Sequence, residues 1–159
     1  MEEKFNLALG RFLAFLLALM LLCVCWQVLT RYLLGNPSSF TDELARYLLI
    51  WIGMLGGAYA SGQNMHLSID LLPGKLTGKP KIRLQIAIHL LIIFFVVATF
   101  IIGGSRLVFI TYSLGQTSAA MQIPVAYIYL IIPISGLVIM YYKVKQLSGL
   151  ITSFTITNS

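Results

Sequence analysis

Five acids, eleven lysines and arginines, two histidines and two cysteines are all that 159 residues offer for acid–base, metal or redox chemistry. Only one group of them is dense: Arg31, Asp42, Glu43 and Arg46. On a helix, Asp42 lies four residues and Glu43 three residues before Arg46, so either acid can meet that arginine on one face. One reading is a weak surface ion pair at a membrane edge, worth well under about 1 kcal/mol. The other is an anchor that contacts Arg31 or a partner chain. A structural role within the hairpin is the preferred reading. Cys23 and Cys25, two apart on a helix, point about 200° from each other. They therefore suit apolar packing better than a shared metal or a disulfide. His66 lies in a basic loop and His89 in an apolar stretch. Haem ligation asks for paired histidines on facing helices, which this pattern matches poorly.

The elements that must position these groups are unusually apolar. No charge interrupts the chain between Arg11 and Arg31, Arg46 and Asp70, Arg83 and Arg106, or Leu107 and Tyr142. About 20 apolar residues of helix cross a bilayer core, and only closed hydrogen-bonding patterns survive there. Hydrophobic residues make up 58% of the chain and charged ones 10%, against roughly 25% charged in a soluble domain. The expectation is an all-α membrane protein: a single four-helix domain over 1–159, with spans at about 12–34, 41–62, 84–105 and 123–142. The first span is too long for a cleavable signal peptide. Loops and tails are too short for a second core, so any catalytic or substrate-recognition domain belongs to another polypeptide. All five acids fall at span ends or in tails. A buried mid-span acid would mark a proton or ion path, so the pattern argues against a self-sufficient carrier and against enzyme chemistry.

Local signals set the boundaries. Ser39 followed by Asp42 fits a capped helix start, with Pro37 marking the turn before it. That helix fades at Ser61-Gly62-Gln63-Asn64. Arg106 to Leu114 reads as an extension of the third helix. Pro124 suits the first position of the fourth, and Pro133 should kink it. Met65, Ile69, Leu72 and Leu76 suggest a short helix at the membrane surface, ended by Pro73-Gly74, or else an ordinary loop. Lys4, Arg11, Lys75, Lys79, Lys81, Arg83, Lys143 and Lys145 fall on one side of the spans, and Arg31, Arg46 and Arg106 on the other. Eight against three places both termini in the cytoplasm and accounts for the net charge of +6 without nucleic acid. Most aromatics sit near span ends as interfacial anchors. Trp26 and Trp51 lie deeper, where each could pack on a neighbouring helix. Gly53, Gly56, Gly57, Gly103 and Gly104 thin two helices for close approach, to a neighbour either within the chain or outside it.

The run from Trp26 through Thr30-Arg31-Tyr32 to Pro37, then Thr41-Asp42-Glu43-Leu44-Ala45-Arg46-Tyr47, has a family likeness. Ala58-Tyr59-Ala60, His66-Leu67-Ser68-Ile69-Asp70 and Ile123-Pro124 follow in order. Together they resemble the small membrane subunit, DctQ type, of tripartite ATP-independent periplasmic (TRAP) transporters. The resemblance covers nearly the whole chain and implies a division of labour. A periplasmic binding protein captures an organic acid such as a C4-dicarboxylate or sialic acid. A large multi-helix membrane subunit moves it, driven by a sodium gradient. The small subunit scaffolds the large one in the bacterial inner membrane, among its lipids, and binds no cofactor or metal itself. Its short outer loops, Gly35–Thr41 and Gly115–Gln122, share any docking surface for the binding protein. Arg31, Asp42, Glu43, Arg46, His66, Asp70, Trp26 and Trp51 are the candidate structural or partner-contact residues. Two other functions compete. A stand-alone four-helix multidrug or cation exporter needs an acid in its first span, which Phe12 to Thr30 lacks. A respiratory-enzyme anchor would hold haem.

Overall fold

A computed structural model describes residues 2–35, 38–63 and 79–156. Among these the chain is helical: α1 (Glu2–Leu33), α2 (Ser39–Gly62), α3 (Lys79–Val96), a π-helical segment (Val97–Gly103), α4 (Gly104–Ser113), α5 (Val125–Tyr129) and α6 (Ile131–Ile156). Three stretches are long and apolar enough to cross a bilayer: Glu3–Leu33, Ile82–Ser113 and Val125–Leu150. The 24 residues of α2 reach about 36 Å, but this helix opens on Asp42, Glu43 and Arg46 and carries four glycines. The surface helix expected around 65–76, with His66 and Asp70, lies outside the described residues, as does Pro37.

α2 is the centre of the bundle, packed between α1 and α6, while α3 and the π segment lie against the other side of α6. One apolar core joins Leu16, Cys23, Leu48, Leu55 and Ile131. A second joins Ala58, Val96 and Ile139. Cys25 is exposed and Cys23 buried, as their spacing requires.

Several expected boundaries shift, each for a physical reason. The cap of α2 is Ser38, not Ser39: its side chain accepts from the Thr41 N–H, one residue earlier than the Ser39–Asp42 pattern suggested. Asp42 is thereby released to bond elsewhere. Pro124 is the N-cap of α5 rather than its first residue, with extended backbone. The break forced by Pro133 falls at Leu130, because a proline ring collides with the carbonyl four residues before it and the helix yields in that turn. The third helix does extend through Arg106 to Ser113, by way of the π segment. The wider turn of that segment rotates the helix face.

The small residues have internal neighbours in some places and none in others. A Cβ on Gly136 would stand 2.7 Å from Phe100 Cβ, and one on Gly104 would stand 2.8 Å from Ile132 Cγ2. These two glycines let α6 cross the π segment and α4 at backbone distance. Gly53, Gly56 and Gly57 of α2 face open space: a Cβ on any of them would meet no described atom within 4 Å. Gly136→Ala should therefore cost about 1–3 kcal/mol, because Phe100 Cβ cannot swing away. Gly53→Ala should stay within about 0.5 kcal/mol of the parent. Denaturant unfolding of both variants in detergent checks the contrast; equal losses would place the close crossing elsewhere.

Candidate functional site

The polar groups gather at the two ends of the bundle. At the end where the termini lie, Tyr142 Oη donates to Asn6 Oδ1, Gln146 Nε2 to the Ser61 carbonyl at 3.2 Å and Lys143 Nζ to Gln146 Oε1 at 3.0 Å. These contacts join α6 to α1 and α2. At the opposite end, where α1 turns into α2, the arrangement is denser and centres on Glu43.

Glu43 sits one turn into α2, where its side chain reaches across to the segment between α4 and α5. Its carboxylate accepts three consecutive backbone N–H groups: Ala119 at 2.9 Å, Ala120 at 2.8 Å and Met121 at 2.8 Å. The buried Ser118 hydroxyl donates at 3.1 Å and Tyr47 Oη, one turn along α2, at 2.8 Å. Successive N–H groups converging on one point form an anion nest, and here the anion is a side chain of the same chain. Both oxygens are used, and only the ionised carboxylate can accept from all five donors at once.

The turn is shaped to present those donors. Gly115 (φ +60°) and Gln122 (φ +56°) are left-handed, and Gln122 is the one non-glycine residue so placed among the described residues. That conformation is costly for a side chain bearing a Cβ. It is held by the Ser118 N–H to Ile123 carbonyl bond at 2.9 Å, the Val125 N–H to Gln116 carbonyl bond at 2.9 Å and the Gln122 Nε2 bond to the Ala119 carbonyl at 3.0 Å. Below the nest, Trp51 Nε1 donates to the Ile128 carbonyl at 3.2 Å, so α2 holds both the turn and α5.

The other charged residues divide the work. Arg46 pairs with Asp42 at 2.8 Å, and Glu43 turns away from both. Asp42 also accepts from Gln27 Nε2 of α1 at 2.7 Å, so it is Gln27, not Arg31, that ties the first hairpin arm to the group. Arg31 lies exposed in the last turn of α1. Trp26 is 55% exposed and joins neither apolar core, whereas Trp51 packs on the first. His89 Nδ1 lies 2.8 Å from the Gln85 carbonyl of its own helix. No cluster of histidine, cysteine or acid side chains suited to a metal occurs among the described residues. The nest residues 118–121 escape sequence reasoning because backbone N–H groups leave no mark in residue type.

Comparison with known proteins now adds a second line. Residues 20–153 match the family model described as tripartite ATP-independent periplasmic transporters, DctQ component. The sialic acid TRAP transporter small permease protein SiaQ of Vibrio cholerae is 31% identical over 88 residues, 55% of this chain and 51% of the relative. A Haemophilus influenzae protein, provisionally named as a TRAP transporter small permease protein, is 41% identical over 61 residues, 38% of each chain. This chain is thus matched over about half or less of these relatives' lengths. The chain belongs to the DctQ family of TRAP transporter small membrane subunits.

The geometry ranks the charged residues by what each holds. Glu43→Ala and Glu43→Gln should both lower the thermal unfolding midpoint, since glutamine offers the turn one acceptor oxygen and an unwanted amide donor. Arg46→Ala removes one exposed pair worth under about 1 kcal/mol and should shift the midpoint much less. Thermal denaturation in detergent, followed by Trp51 fluorescence in the Trp26→Phe background, reads the order. An Arg46→Ala loss as large as that of Glu43→Ala would show that the ion pair, not the nest, closes this end.

Proposed function

We propose that this chain is the small, non-enzymatic scaffold subunit of a sodium-driven, binding-protein-dependent transporter in a bacterial inner membrane. In this reading α2 is the fourth membrane span, both termini are cytoplasmic, and the Glu43 end faces the periplasm. The eight-to-three bias of lysine and arginine supports that orientation. A large multi-helix subunit carries the substrate path and the sodium coupling, and a periplasmic binding protein delivers the solute. The substrate is an organic acid; the name of the Vibrio relative points toward sialic acid as one example of that class.

The observation that carries the scaffold reading is the Glu43 nest. The densest polar site among the described residues is occupied by the chain's own main chain, which makes it a fastening between α2 and the 118–121 turn rather than a ligand pocket. The surface left over is apolar and broad. Leu22 (68% exposed) and Leu33 (77%) on α1, and Phe94 (75%) and Phe109 (70%) along the third helix, offer opposite flanks to lipid or to a larger membrane partner. A rigid body with fastened ends and apolar flanks suits the task of widening a transport subunit's fixed part. It supplies packing surface, not substrate chemistry.

Affinity purification of the tagged chain from its native membrane in mild detergent should recover a stoichiometric, more hydrophobic partner several times its size. In proteoliposomes, organic acid uptake should require both membrane subunits, the binding protein and an inward sodium gradient. Glu43→Ala should reduce recovery of the complex and uptake together while the chain still inserts. Recovery of this chain alone, stable and active in transport by itself, would overturn the subunit assignment.

A further inference from the structure

The fastened end also has an apolar side. Between α1, α2 and α5 runs a groove of about 270 Å³ with walls of Leu16, Leu44, Leu48, Trp51, Ile123 and Ile128. Tyr47 closes its upper end and also lines a second cavity of about 330 Å³, whose other walls include Ser39, Asp42 and Arg46. The two spaces are therefore stacked along α2, hydrocarbon below and charge above.

Size and charge select the occupant. A helix about 10 Å across, laid along the roughly 10 Å from Leu44 to Trp51, displaces roughly 800 Å³, more than the ~630 Å³ of unfilled space in the groove and its mouth. Water gains nothing there, since the walls offer almost no hydrogen-bond partners. A single hydrocarbon chain fits both constraints. In the upper cavity Glu43 is committed to the turn, which leaves one acid and one base facing outward. Arg46 is 74% exposed and Asp42 38% exposed. Arg46 gives one terminal nitrogen to Asp42 and keeps its remaining N–H groups for a phosphate, in the forked geometry that guanidinium favours. Asp42, beside it, accepts from Gln27 on one oxygen and from Arg46 on the other, and the second lone pair of each oxygen matches a primary ammonium. One base and one acid over an apolar slot complement an amphiphile with a zwitterionic head.

We propose that the two cavities form one binding site for a zwitterionic phospholipid of the bilayer, with an acyl chain in the Leu44–Trp51 groove, the phosphate on Arg46 and the ammonium on Asp42. Bound there, the lipid fills the gap between α1 and α5 that the described side chains leave open.

Trp51 supplies the probe. The full-length Trp26→Phe chain in dodecyl maltoside is titrated with phosphatidylethanolamine brominated on its acyl chains. Quenching should saturate at about one lipid per chain. Arg46→Gln should raise the half-saturating concentration roughly tenfold, the size of a lost charge-assisted hydrogen bond. Leu44→Phe, which narrows the groove, should abolish the saturable phase, with circular dichroism confirming that the helices persist. Brominated phosphatidylglycerol, which lacks the ammonium, should bind more weakly. Quenching that rises without saturation, that is unchanged by Arg46→Gln, or that is equal for both lipids would overturn the site. Native mass spectrometry of the unsubstituted chain gives an independent reading: one retained phosphatidylethanolamine supports the site, and a lipid-free chain under conditions that keep it folded overturns it.

Discussion

A turn that aims three consecutive backbone N–H groups at one point needs an acceptor there. In this protein one carboxylate meets that demand for three consecutive residues. The consequences spread through the fold. Because the 118–121 main chain is held by Glu43, the segment between α4 and α5 closes over the end of α2 instead of standing free. Because it closes, Ile123 and Ile128 face Leu48 and Trp51 across the apolar groove, and the short α5 is placed where Trp51 Nε1 can reach the Ile128 carbonyl. The strain of a left-handed Gln122 is tolerated for the same reason: the turn's hydrogen bonds over-determine that conformation. Remove the carboxylate and three adjacent donors lose their shared acceptor together, so the turn is released as a unit.

Between the fastened ends the bundle is held by shape. No hydrophobic driving force separates helix from lipid, so close contact and fit must do the work. Gly104 and Gly136 bring α6 onto the third helix at the π segment, where the extra residue per turn re-aims Phe100 into the crossing. On α2 the glycines do the opposite. Gly53, Gly56 and Gly57 meet nothing among the described residues, so one face of the central helix is smooth and unoccupied. Helix thinning thus has two distinct uses here, one satisfied internally and one left open.

What the sequence made legible follows from which forces write themselves into residue type. Long uncharged runs announce helices and membrane because each residue in them is constrained by the same solvent. Cys23 and Cys25 could be assigned opposite sides from the helical period alone. The charged group at 31–46 stands out by its density, yet its wiring does not. Asp42 and Glu43 are adjacent in sequence and each within reach of Arg46 on paper. They separate in space because Ser38 takes the capping role, leaving Asp42 to Gln27 and Arg46, while Glu43 lies on the side facing the turn. A backbone donor has no letter in the alphabet of residues, so a nest roughly 75 positions away was invisible. Likewise Trp26 and Trp51 look equivalent as deep aromatics, and only the bond to α5 and the packing on the first core distinguish half-buried Trp51.

The contrast between ends and middle bears on the stiffness of the bundle. An ion pair on the surface restrains little, because salt and solvent compete for it. Glu43 instead distributes its charge over five donors from two elements, and several must break together before the turn can leave α2. At the other end Asn6, Ser61, Tyr142 and Gln146 spread the same duty over three helices. Motion that would splay the helices therefore meets resistance at both ends. The apolar flanks can still exchange lipid or partner side chains freely, since no polar contact is lost by doing so. A body stiff along its axis and indifferent across its flanks suits the proposed place beside a larger membrane subunit. That combination follows from where, among the described residues, the polar contacts between elements lie: towards the two ends.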